Sequence, residues 1–261
     1  MKKKLIILTG PTAVGKTDLS IRLARTVGGE IISADSMQVY RRMDIGTAKI
    51  RPEEMDGVRH HLIDILEPTE SFNAFLFKEY ALKAANEIWE RGSIPIIVGG
   101  TGFYIQTLLY DIEFAKSDEN DGIREELNKL YEEHGAAFLH DMLAKVDPEY
   151  AAEVHENNVK KVIRAIEFYR QTGHKLSEHN TEQRERTSPY NFEYFVLSDD
   201  RAVLYERIDK RIDKMVEAGL IAEVQALLDE GVDRESVAMQ GLGYKEIASY
   251  LAGEISLDEA I

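Results

Sequence analysis

The sequence predicts an α/β fold in which helices cover a parallel sheet and a helical insertion interrupts the chain. Three short runs rich in β-branched residues, at 4–10, 30–36 and 94–100, end at or near Gly or Asp, and helical patterns lie between them. Such alternation of strands and helices is typical of a parallel sheet. A further strand is predicted at 192–198, after a stretch from 115 to 190 that has no strand signal.

Apolar residues at helical spacing predict the helices of the sheet-containing part. The first helix follows Lys16 and has apolar residues at four-residue spacing: Leu19, Leu23 and Val27. A second helix is predicted over 72–91. After residue 200, an amphipathic helix places four apolar residues on one stripe: Leu204, Ile208, Ile212 and Met215.

The stretch between the third and fourth predicted strands is charge-rich and is predicted to be helical. Apolar residues recur at helical spacing over 123–146 and over 158–170. We therefore predict an α/β core domain formed by 1–114 and 191–261, and a helical insertion domain formed by 115–190.

Composition excludes several classes of protein. The chain has 261 residues, 44% of them hydrophobic, and no cysteine, so disulfides and cysteine metal sites are excluded. It has no run of about 18 apolar residues, so we expect no membrane span and no membrane partner. The start MKKKLIILTG has only a short apolar run, which predicts a buried first strand of a cytoplasmic protein and not a signal peptide. The net charge of −15 argues mildly against a nucleic-acid substrate.

The segment GPTAVGKT fits the phosphate-loop pattern G-x-x-x-x-G-K-[ST] at every fixed position. Its glycines let backbone N–H groups point at phosphate oxygens, and the helix that follows adds the positive end of its dipole. Lys16 supplies a charge to the phosphates, and the Thr17 hydroxyl is placed to bind Mg²⁺. The predicted phosphate site comprises Gly10, Pro11, Thr12, Ala13, Val14, Gly15, Lys16 and Thr17.

Asp35 follows the second predicted strand and therefore lies at the edge of the sheet where ligands bind in open α/β folds. It could orient Mg²⁺ or accept a proton from a substrate, and the alternative is a cap on the next turn. The third strand ends at the same edge with small residues that let a ligand approach the backbone: Gly99, Gly100, Thr101 and Gly102. The third strand lacks a terminal acid, which argues against an ordinary ATPase.

Two groups of basic residues are candidate ligand contacts. Arg207, Arg211 and Lys214 share one face of the helix after residue 200, where they would suit a diphosphate or form a solvated face paired with nearby acids. Residues 158–187 carry seven Lys or Arg against four Glu, a net +3 within an acidic chain. This basic island is either an RNA contact or an ordinary charged helix surface. The adjacent histidines of RHH at 59–61 are more consistent with a structural role than with a metal site.

These segments together resemble the bacterial tRNA dimethylallyltransferases, also called isopentenyl-tRNA transferases. The resemblance rests on GPTAVGKT, SADSMQVY, DIGTAKIRPEEMDGVRHHLIDI, VGGTGFYIQTLL, NNVKKVIRAIE and GYKEIASYLAGEIS. These segments occur in the family's order from residue 4 to the last residue. DSMQVY and GTAK…HHLID are not general features of phosphate loops, so the resemblance is specific.

The resemblance implies transfer of a dimethylallyl group from dimethylallyl diphosphate to N6 of the adenosine on the 3′ side of certain tRNA anticodons. It implies a P-loop nucleoside-kinase-like parallel sheet core with a helical insertion domain that contacts the tRNA anticodon stem-loop. Mg²⁺ is the expected cofactor, and we expect a monomer. The family continues beyond the last residue of this chain, so its C-terminal segment, with part of the tRNA and diphosphate surface, is expected to be absent.

The resemblance also implies roles for individual residues. Asp35 would be the base that takes the N6 proton, with Lys16 and Thr101 as further catalytic residues. Arg207 and Arg211 would hold the diphosphate together with the phosphate loop. The tRNA would contact Asp35, Ser36, Met37, Gln38, Thr101, Arg124, Lys160, Lys161, Val162, Ile163 and Arg164.

The residues by themselves leave two other classes of protein open. A small-molecule kinase needs the same phosphate loop and Mg²⁺, an acid near a substrate hydroxyl, and arginines on a mobile segment. A non-catalytic, nucleotide-dependent RNA-binding module would use the basic island as its main surface. Incubation with tRNA and either dimethylallyl diphosphate or labelled ATP separates the three.

Overall fold

A computed structural model describes residues 2–112 and 122–261. The chain forms two compact units, one made of Met1–Leu109 with Ser188–Ile261 and the other of Tyr110–Thr187. The predicted insertion, 115–190, begins and ends a few residues later than the second unit.

The first unit is built on a parallel sheet with the strand order β3-β2-β4-β1-β5. The strands are β1 (Lys4–Thr9), β2 (Gly29–Ser33), β3 (His60–His61), β4 (Ile94–Gly99) and β5 (Asn191–Val196). All ladders between neighbouring strands are parallel, so the α/β prediction is confirmed. The carboxyl ends of β1, β2 and β4 meet at one edge of the sheet.

The helices alternate with these strands or follow them. In the first unit they are α1 (Lys16–Val27), α2 (Ala74–Glu90) and α3 (Gly102–Leu109). The second unit contains α4 (Ile123–His134), α5 (Ala136–Val146), α6 (Pro148–Glu153), α7 (Val159–Thr172) and α8 (Leu176–Glu185). The chain then returns to the first unit with α9 (Arg201–Glu217), α10 (Leu220–Asp229), α11 (Tyr244–Leu251) and α12 (Leu257–Ala260).

Buried aliphatic residues on the central strands form the core of the first unit. Ile7, Ile32, Ile96 and Ile97 are completely buried, as expected for strands that helices cover on both faces. The continuous apolar character of these strands made them recognisable in the sequence. Among the described residues, none of the helices is long and apolar enough to cross a membrane.

The second unit has a hydrophobic core of its own. The core side chains lie on α4, α5, α6 and α7 and at the start of α8, and include Leu127, Leu139, Leu143, Val162 and Ile166. The apolar pattern over 123–146 comes from two helices and not one. Gly135, at φ 83°, ends α4 and begins the turn into α5.

Asp147 joins two helices of the second unit. Its carboxylate accepts hydrogen bonds from the Tyr150 amide, 3.1 Å away, at the start of α6. It also accepts from the Ser177 amide at 2.9 Å and the Ser177 hydroxyl at 2.7 Å, at the start of α8. Asp147 is only 1% exposed. One buried carboxylate therefore caps two helices that are about 30 residues apart in the sequence.

Removal of this double cap should destabilise the second unit. Burial alone would raise the pKa of Asp147, but hydrogen bonds from Ser177, Tyr150 and Leu176 lower it below its ordinary value. The carboxylate therefore stabilises the fold above about pH 4, and this contribution is lost as pH falls through the lower, folded-state pKa. We expect Asp147→Ala to lower the free energy of unfolding at pH 7 by about 2–3 kcal/mol.

Chemical denaturation at several pH values tests this expectation. Asp147→Asn should lose less stability than the wild type between pH 5 and pH 2, because it has no carboxyl group to protonate at this position. Asp141→Asn, at an exposed position on α5, is the matched control and should follow the wild type. If the free energy of unfolding depends on pH in the same way in the wild type and in Asp147→Asn, the role assigned to the Asp147 carboxylate is contradicted.

Candidate active site

The phosphate loop connects β1 to α1, as the sequence predicts. Gly15 adopts φ 91° and caps α1, so the first amides of the helix are free of intrahelical acceptors and face the loop. The Lys16 ammonium donates to the carbonyl oxygens of Gly10 at 2.8 Å and Pro11 at 2.7 Å. The lysine thus lies across the loop, where phosphate oxygens would meet both it and the helix N-terminus.

Asp35 lies two residues after the end of β2 and forms a tight turn. Its Oδ1 accepts hydrogen bonds from the backbone amides of Met37 at 2.8 Å and Gln38 at 3.2 Å. Within the described residues, Oδ2 accepts none. One oxygen therefore fixes the side chain while the other is available to a substrate proton.

Close packing of β2 against β4 brings Asp35 to the phosphate loop. A Cβ atom on Gly99 would lie 2.3 Å from the Ala34 carbonyl oxygen, so only glycine permits this approach. The Thr9 hydroxyl at the end of β1 donates to the Gly99 carbonyl at 2.9 Å. Thr101 lies two residues after Gly99 and immediately precedes α3. The predicted residues Lys16, Asp35 and Thr101 consequently lie at one sheet edge, the usual ligand position in this class of fold.

The charges at this edge interact with one another. Burial lowers the pKa of Lys16, the Asp35 carboxylate opposes this shift, and the Arg211 guanidinium adds to it. Burial likewise lowers the pKa of Arg211, and Asp35 again opposes the shift. Two cations and one carboxylate thus share a partly desolvated space, where electrostatic interactions are stronger than in water.

The helix α9 contributes a second arginine beside the loop. The Arg207 guanidinium donates to the Ala13 carbonyl at 3.4 Å and forms an ion pair with Asp199 at 2.9 Å. The sequence left open whether Arg207 and Arg211 face a ligand or solvent. Both lie near the phosphate loop, which favours the ligand-facing alternative.

The residues after Asp35 are positioned by a loop further along the chain. The Gln38 side-chain amide donates to the Thr47 carbonyl at 3.2 Å. The backbone amides of Asp44, Ile45 and Gly46 donate to Glu223 on α10, at distances of 2.9, 2.8 and 3.1 Å. We call this set of contacts the Glu223 latch.

The latch also includes Tyr244 on α11. The completely buried Tyr244 hydroxyl donates to Glu223 at 2.5 Å, and burial together with this carboxylate raises the pKa of Tyr244. Lys49 adds a second anchor, because its ammonium donates to Tyr40 O at 2.7 Å and to Asp44 at 2.6 Å. The DIGTAK segment therefore serves to hold the loop after Asp35 in place.

The two histidines of RHH have structural partners. His61 contacts the Glu30 carboxylate at 2.8 Å, and Glu30 also forms two hydrogen bonds with Arg91 at 2.9 and 2.8 Å. The His60 ring contacts the Val58 carbonyl at 2.9 Å. No cluster of metal-ligating side chains is present in the part of the chain that the structure describes.

In the second unit, the basic residues of α7 are exposed. Lys160, Lys161 and Arg164 form no ion pair with any described residue, so their charges are available to an external anion. Arg124 at the start of α4 is also largely exposed, but its guanidinium pairs with Glu167 on α7.

Two residues predicted to contact tRNA are core residues. Val162 and Ile163 are 0% and 5% exposed and pack in the centre of the second unit. The prediction that their side chains bind RNA is therefore wrong. It treated 160–164 as one continuous contact, whereas a helix turns successive residues toward different faces.

Sequence reasoning missed a candidate contact beside Met37. A Cβ on Gly241 would lie 2.7 Å from the Met37 sulfur, so the segment after α10 packs closely against the turn of Asp35. The next residue, Leu242, is 87% exposed. The only signal available in the sequence was an apolar residue between two glycines, in GLG.

The sequence model of the IPP transferase family matches residues 38–261. The chain belongs to the IPP transferase family. That match begins at Gln38 and therefore does not include the phosphate loop or Asp35. These residues are covered by the alignments with individual relatives. The resemblance inferred from the sequence motifs is confirmed.

Two relatives cover nearly the whole chain. The tRNA dimethylallyltransferase of Lachnoclostridium phytofermentans is 58% identical over 257 residues, which are 98% of this chain and 82% of the relative. The tRNA dimethylallyltransferase of Carboxydothermus hydrogenoformans is 51% identical over 261 residues, which are 100% of this chain and 84% of the relative. The similarity to IPP transferases therefore includes the phosphate loop and the Asp35 turn.

Solved structures of IPP transferases share the fold. The tRNA isopentenylpyrophosphate transferase of Bacillus halodurans is 47% identical with a TM-score of 0.72, and the alignment covers 99% of this chain and 80% of that one. A eukaryotic dimethylallyltransferase described as acting on tRNA is 33% identical with a TM-score of 0.85, over 97% of this chain and 64% of that one.

Proposed function

We propose that this IPP transferase transfers a dimethylallyl group from dimethylallyl diphosphate to N6 of the adenosine on the 3′ side of a tRNA anticodon. The names of relatives with 58% and 51% identity support the class of reaction. One observation on this chain carries the proposal. A carboxylate with one oxygen that has no partner among the described residues lies at the same sheet edge as a phosphate loop, and its charge acts on the lysine of that loop.

The proposed step forms one bond and breaks another. N6 of the adenine attacks the first carbon of the allylic group, the bond from this carbon to the diphosphate oxygen breaks, and Asp35 Oδ2 takes the N6 proton. The exocyclic amine is a weak nucleophile, because its lone pair is delocalised into the ring. Removal of its proton by a positioned base accelerates such a reaction by about 10²–10⁴-fold.

The leaving diphosphate carries away the electron pair of the broken bond. The amides of the phosphate loop, Lys16 and Arg211 stabilise the charge that develops on it, and fixed donors in a partly desolvated space do this without reorganisation. Arg207 holds the loop from the side of α9. The target base must leave the stack of the anticodon loop, which costs less in single-stranded RNA than in a duplex.

The Thr17 hydroxyl fits a bound Mg²⁺. Thr17 is exposed in the first turn of α1, and its hydroxyl has no hydrogen-bond partner among the described residues. Mg²⁺ in such sites keeps several waters and takes its other ligands from substrate phosphates, which suits a site with few protein ligands. When bound, the ion would neutralise charge on the diphosphate oxygens.

We infer that the tRNA is held by residues of both units. In the first unit, Leu242 is an apolar side chain free to contact an unstacked base beside Met37. In the second, Lys160, Lys161 and Arg164 offer unpaired cations to the RNA backbone. A monomer in the cytoplasm, where tRNA is modified, is consistent with this proposal.

The salt dependence of tRNA binding tests the role of the α7 cations. Each phosphate contact with a single strand contributes about −0.7 to the slope of log affinity against log salt. Replacing Lys160, Lys161 and Arg164 by Ala should therefore flatten the slope by roughly 2 and leave diphosphate affinity intact.

A matched triple variant controls for the change in net charge. Lys129, Arg170 and Lys175 lie in the same unit, and two of them pair with acids, Arg170 with Glu126 and Lys175 with Glu178. Their replacement by Ala should change the slope much less. Equal slopes for the two triple variants would show that the α7 cations are an ordinary solvated surface.

Lys16→Ala should weaken binding of the donor. The lysine forms charge-assisted hydrogen bonds with phosphate oxygens, and the loss of such bonds costs about 1.5–3 kcal/mol, or roughly 10- to 150-fold in affinity. Titration calorimetry with dimethylallyl diphosphate measures the change. Lys210→Ala, which removes an exposed lysine paired with Glu206, is the control. Unchanged donor affinity in Lys16→Ala would contradict the assigned position of the diphosphate.

A two-label assay tests the reaction itself. The protein is incubated with tRNA and with either dimethylallyl diphosphate labelled in the allylic group or ATP labelled in the γ-phosphate. We expect label in the tRNA only from the allylic donor. Transfer of the γ-phosphate to any acceptor would favour a kinase, and binding of tRNA without transfer of either label would favour an RNA-binding module.

A further inference from the structure

Tyr104 occupies the first turn of α3, directly after the Gly99–Thr101 segment that faces the phosphate loop. The residues at this edge are mostly small or polar: Thr9, Gly10, Asp35, Ser36, Gly99, Gly100 and Thr101. Under the proposed function, the donor brings a branched hydrocarbon group to the same edge. That group needs apolar surface beside it, because removing a hydrocarbon group from water lowers the free energy and exposure to water does not.

The Tyr104 ring is held in a fixed position by two other aromatic residues. Its centroid lies 4.8 Å from that of Phe77 in a stacked arrangement, and 5.7 Å from that of Phe72 in an edge-to-face arrangement. The residue retains 8% exposure. Within the described parts of the chain its hydroxyl has no hydrogen-bond partner, and the oxygen remains accessible to solvent.

The Tyr104 ring lies near enough to the Asp35 carboxylate for the two groups to interact electrostatically. Burial raises the pKa of the Tyr104 phenol, and the charge of Asp35 raises it further. Tyr104 therefore belongs both to the aromatic packing with Phe72 and Phe77 and to the surroundings of Asp35.

From this placement we propose that Tyr104 is the wall of the subsite for the donor's hydrocarbon group and limits the length of the allylic chain that is accepted. The inference depends on the proposed function. A longer allylic chain would have to displace a ring that Phe72 and Phe77 pack on two sides, and displacement of well-packed side chains is costly.

Donor competition between dimethylallyl diphosphate and geranyl diphosphate, with tRNA as acceptor, tests the proposal. The readout is the ratio of kcat/KM for the two donors. Tyr104→Ala should shift this ratio toward geranyl diphosphate by at least about 100-fold, since one misfit methylene already costs about 10- to 200-fold. Tyr104→Leu should shift it by a smaller factor, and Tyr104→Phe should keep the wild-type ratio.

Two controls keep the result interpretable. Phe77→Leu loosens the packing behind Tyr104 without shortening it, so it should shift the ratio toward geranyl diphosphate by a smaller factor than Tyr104→Ala does, whereas Tyr131→Leu, at an exposed aromatic residue of α4, should keep the wild-type ratio. If the Tyr104→Ala variant does not fold, the donor ratio of the Tyr104→Leu variant is the test. The inference would be overturned if the wild type prenylates tRNA and the folded Tyr104 variants have the same donor ratio as the wild type. A wild type that transfers neither donor would overturn the proposed function instead.

Discussion

Asp35→Asn should lower the turnover number by about 10²–10⁴ while dimethylallyl diphosphate still binds. Asparagine keeps an oxygen that can accept the amides of Met37 and Gln38, so the turn is preserved. The other oxygen is replaced by an amide nitrogen, which cannot take the N6 proton. The substitution thus removes the base with little change in shape.

Single-turnover kinetics with saturating donor and tRNA measure this effect. Asp229→Asn changes an exposed acid on α10 in the same way and should retain wild-type turnover. Donor affinity, measured by calorimetry, separates a lost base from a lost phosphate site. A turnover number near that of the wild type in Asp35→Asn would remove Asp35 from the role of base.

Glu223→Ala should lower the free energy of unfolding by about 3 kcal/mol. The substitution removes the acceptor of three backbone amides at 44–46 and of the buried Tyr244 hydroxyl. Each buried polar group left without a partner costs about 1–3 kcal/mol, and water can reach part of this half-buried site. The loop after Asp35 should also lose its fixed position, so turnover should fall.

Thermal and chemical denaturation measure the stability of this variant. Glu223→Gln keeps one acceptor oxygen and should lose less than half as much stability as the alanine variant. Glu217→Ala, at an exposed position near the end of α9, should change stability by no more than about 0.5 kcal/mol. A Glu223→Ala protein as stable as Glu217→Ala would show that the latch contributes little.

Local patterns in the sequence predicted the features that depend on neighbouring residues. The phosphate loop, the strands β1, β2 and β4, and the position of Asp35 at a strand end all follow from short segments. The two-residue strand β3 was missed, because two histidines form no apolar pattern that would indicate a strand. The break at Gly135 was missed for a related reason, since one glycine does not outweigh a continuous apolar repeat.

Long-range contacts could not be predicted from the sequence. Glu223 meets the 44–46 loop from 177–179 positions further along the chain, and nothing in either segment identifies the other. The same reason kept the face of Arg207 and Arg211 undecided until α9 was located beside the phosphate loop. The error at Val162 and Ile163 had another origin, because the helical period of α7 already placed them on its apolar face.

The central claim, prenyl transfer to tRNA, is tested most directly by the chemical identity of the product. Unmodified tRNA is incubated with the protein, Mg²⁺ and dimethylallyl diphosphate, then digested with nuclease and analysed by mass spectrometry. We predict that one anticodon-loop fragment gains the mass of a dimethylallyl group in place of a hydrogen, on the adenosine 3′ to the anticodon, and that Asp35→Asn nearly abolishes this gain. Unmodified fragments after incubation with the folded wild-type protein, or a phosphorylated product when ATP is supplied instead, would contradict it.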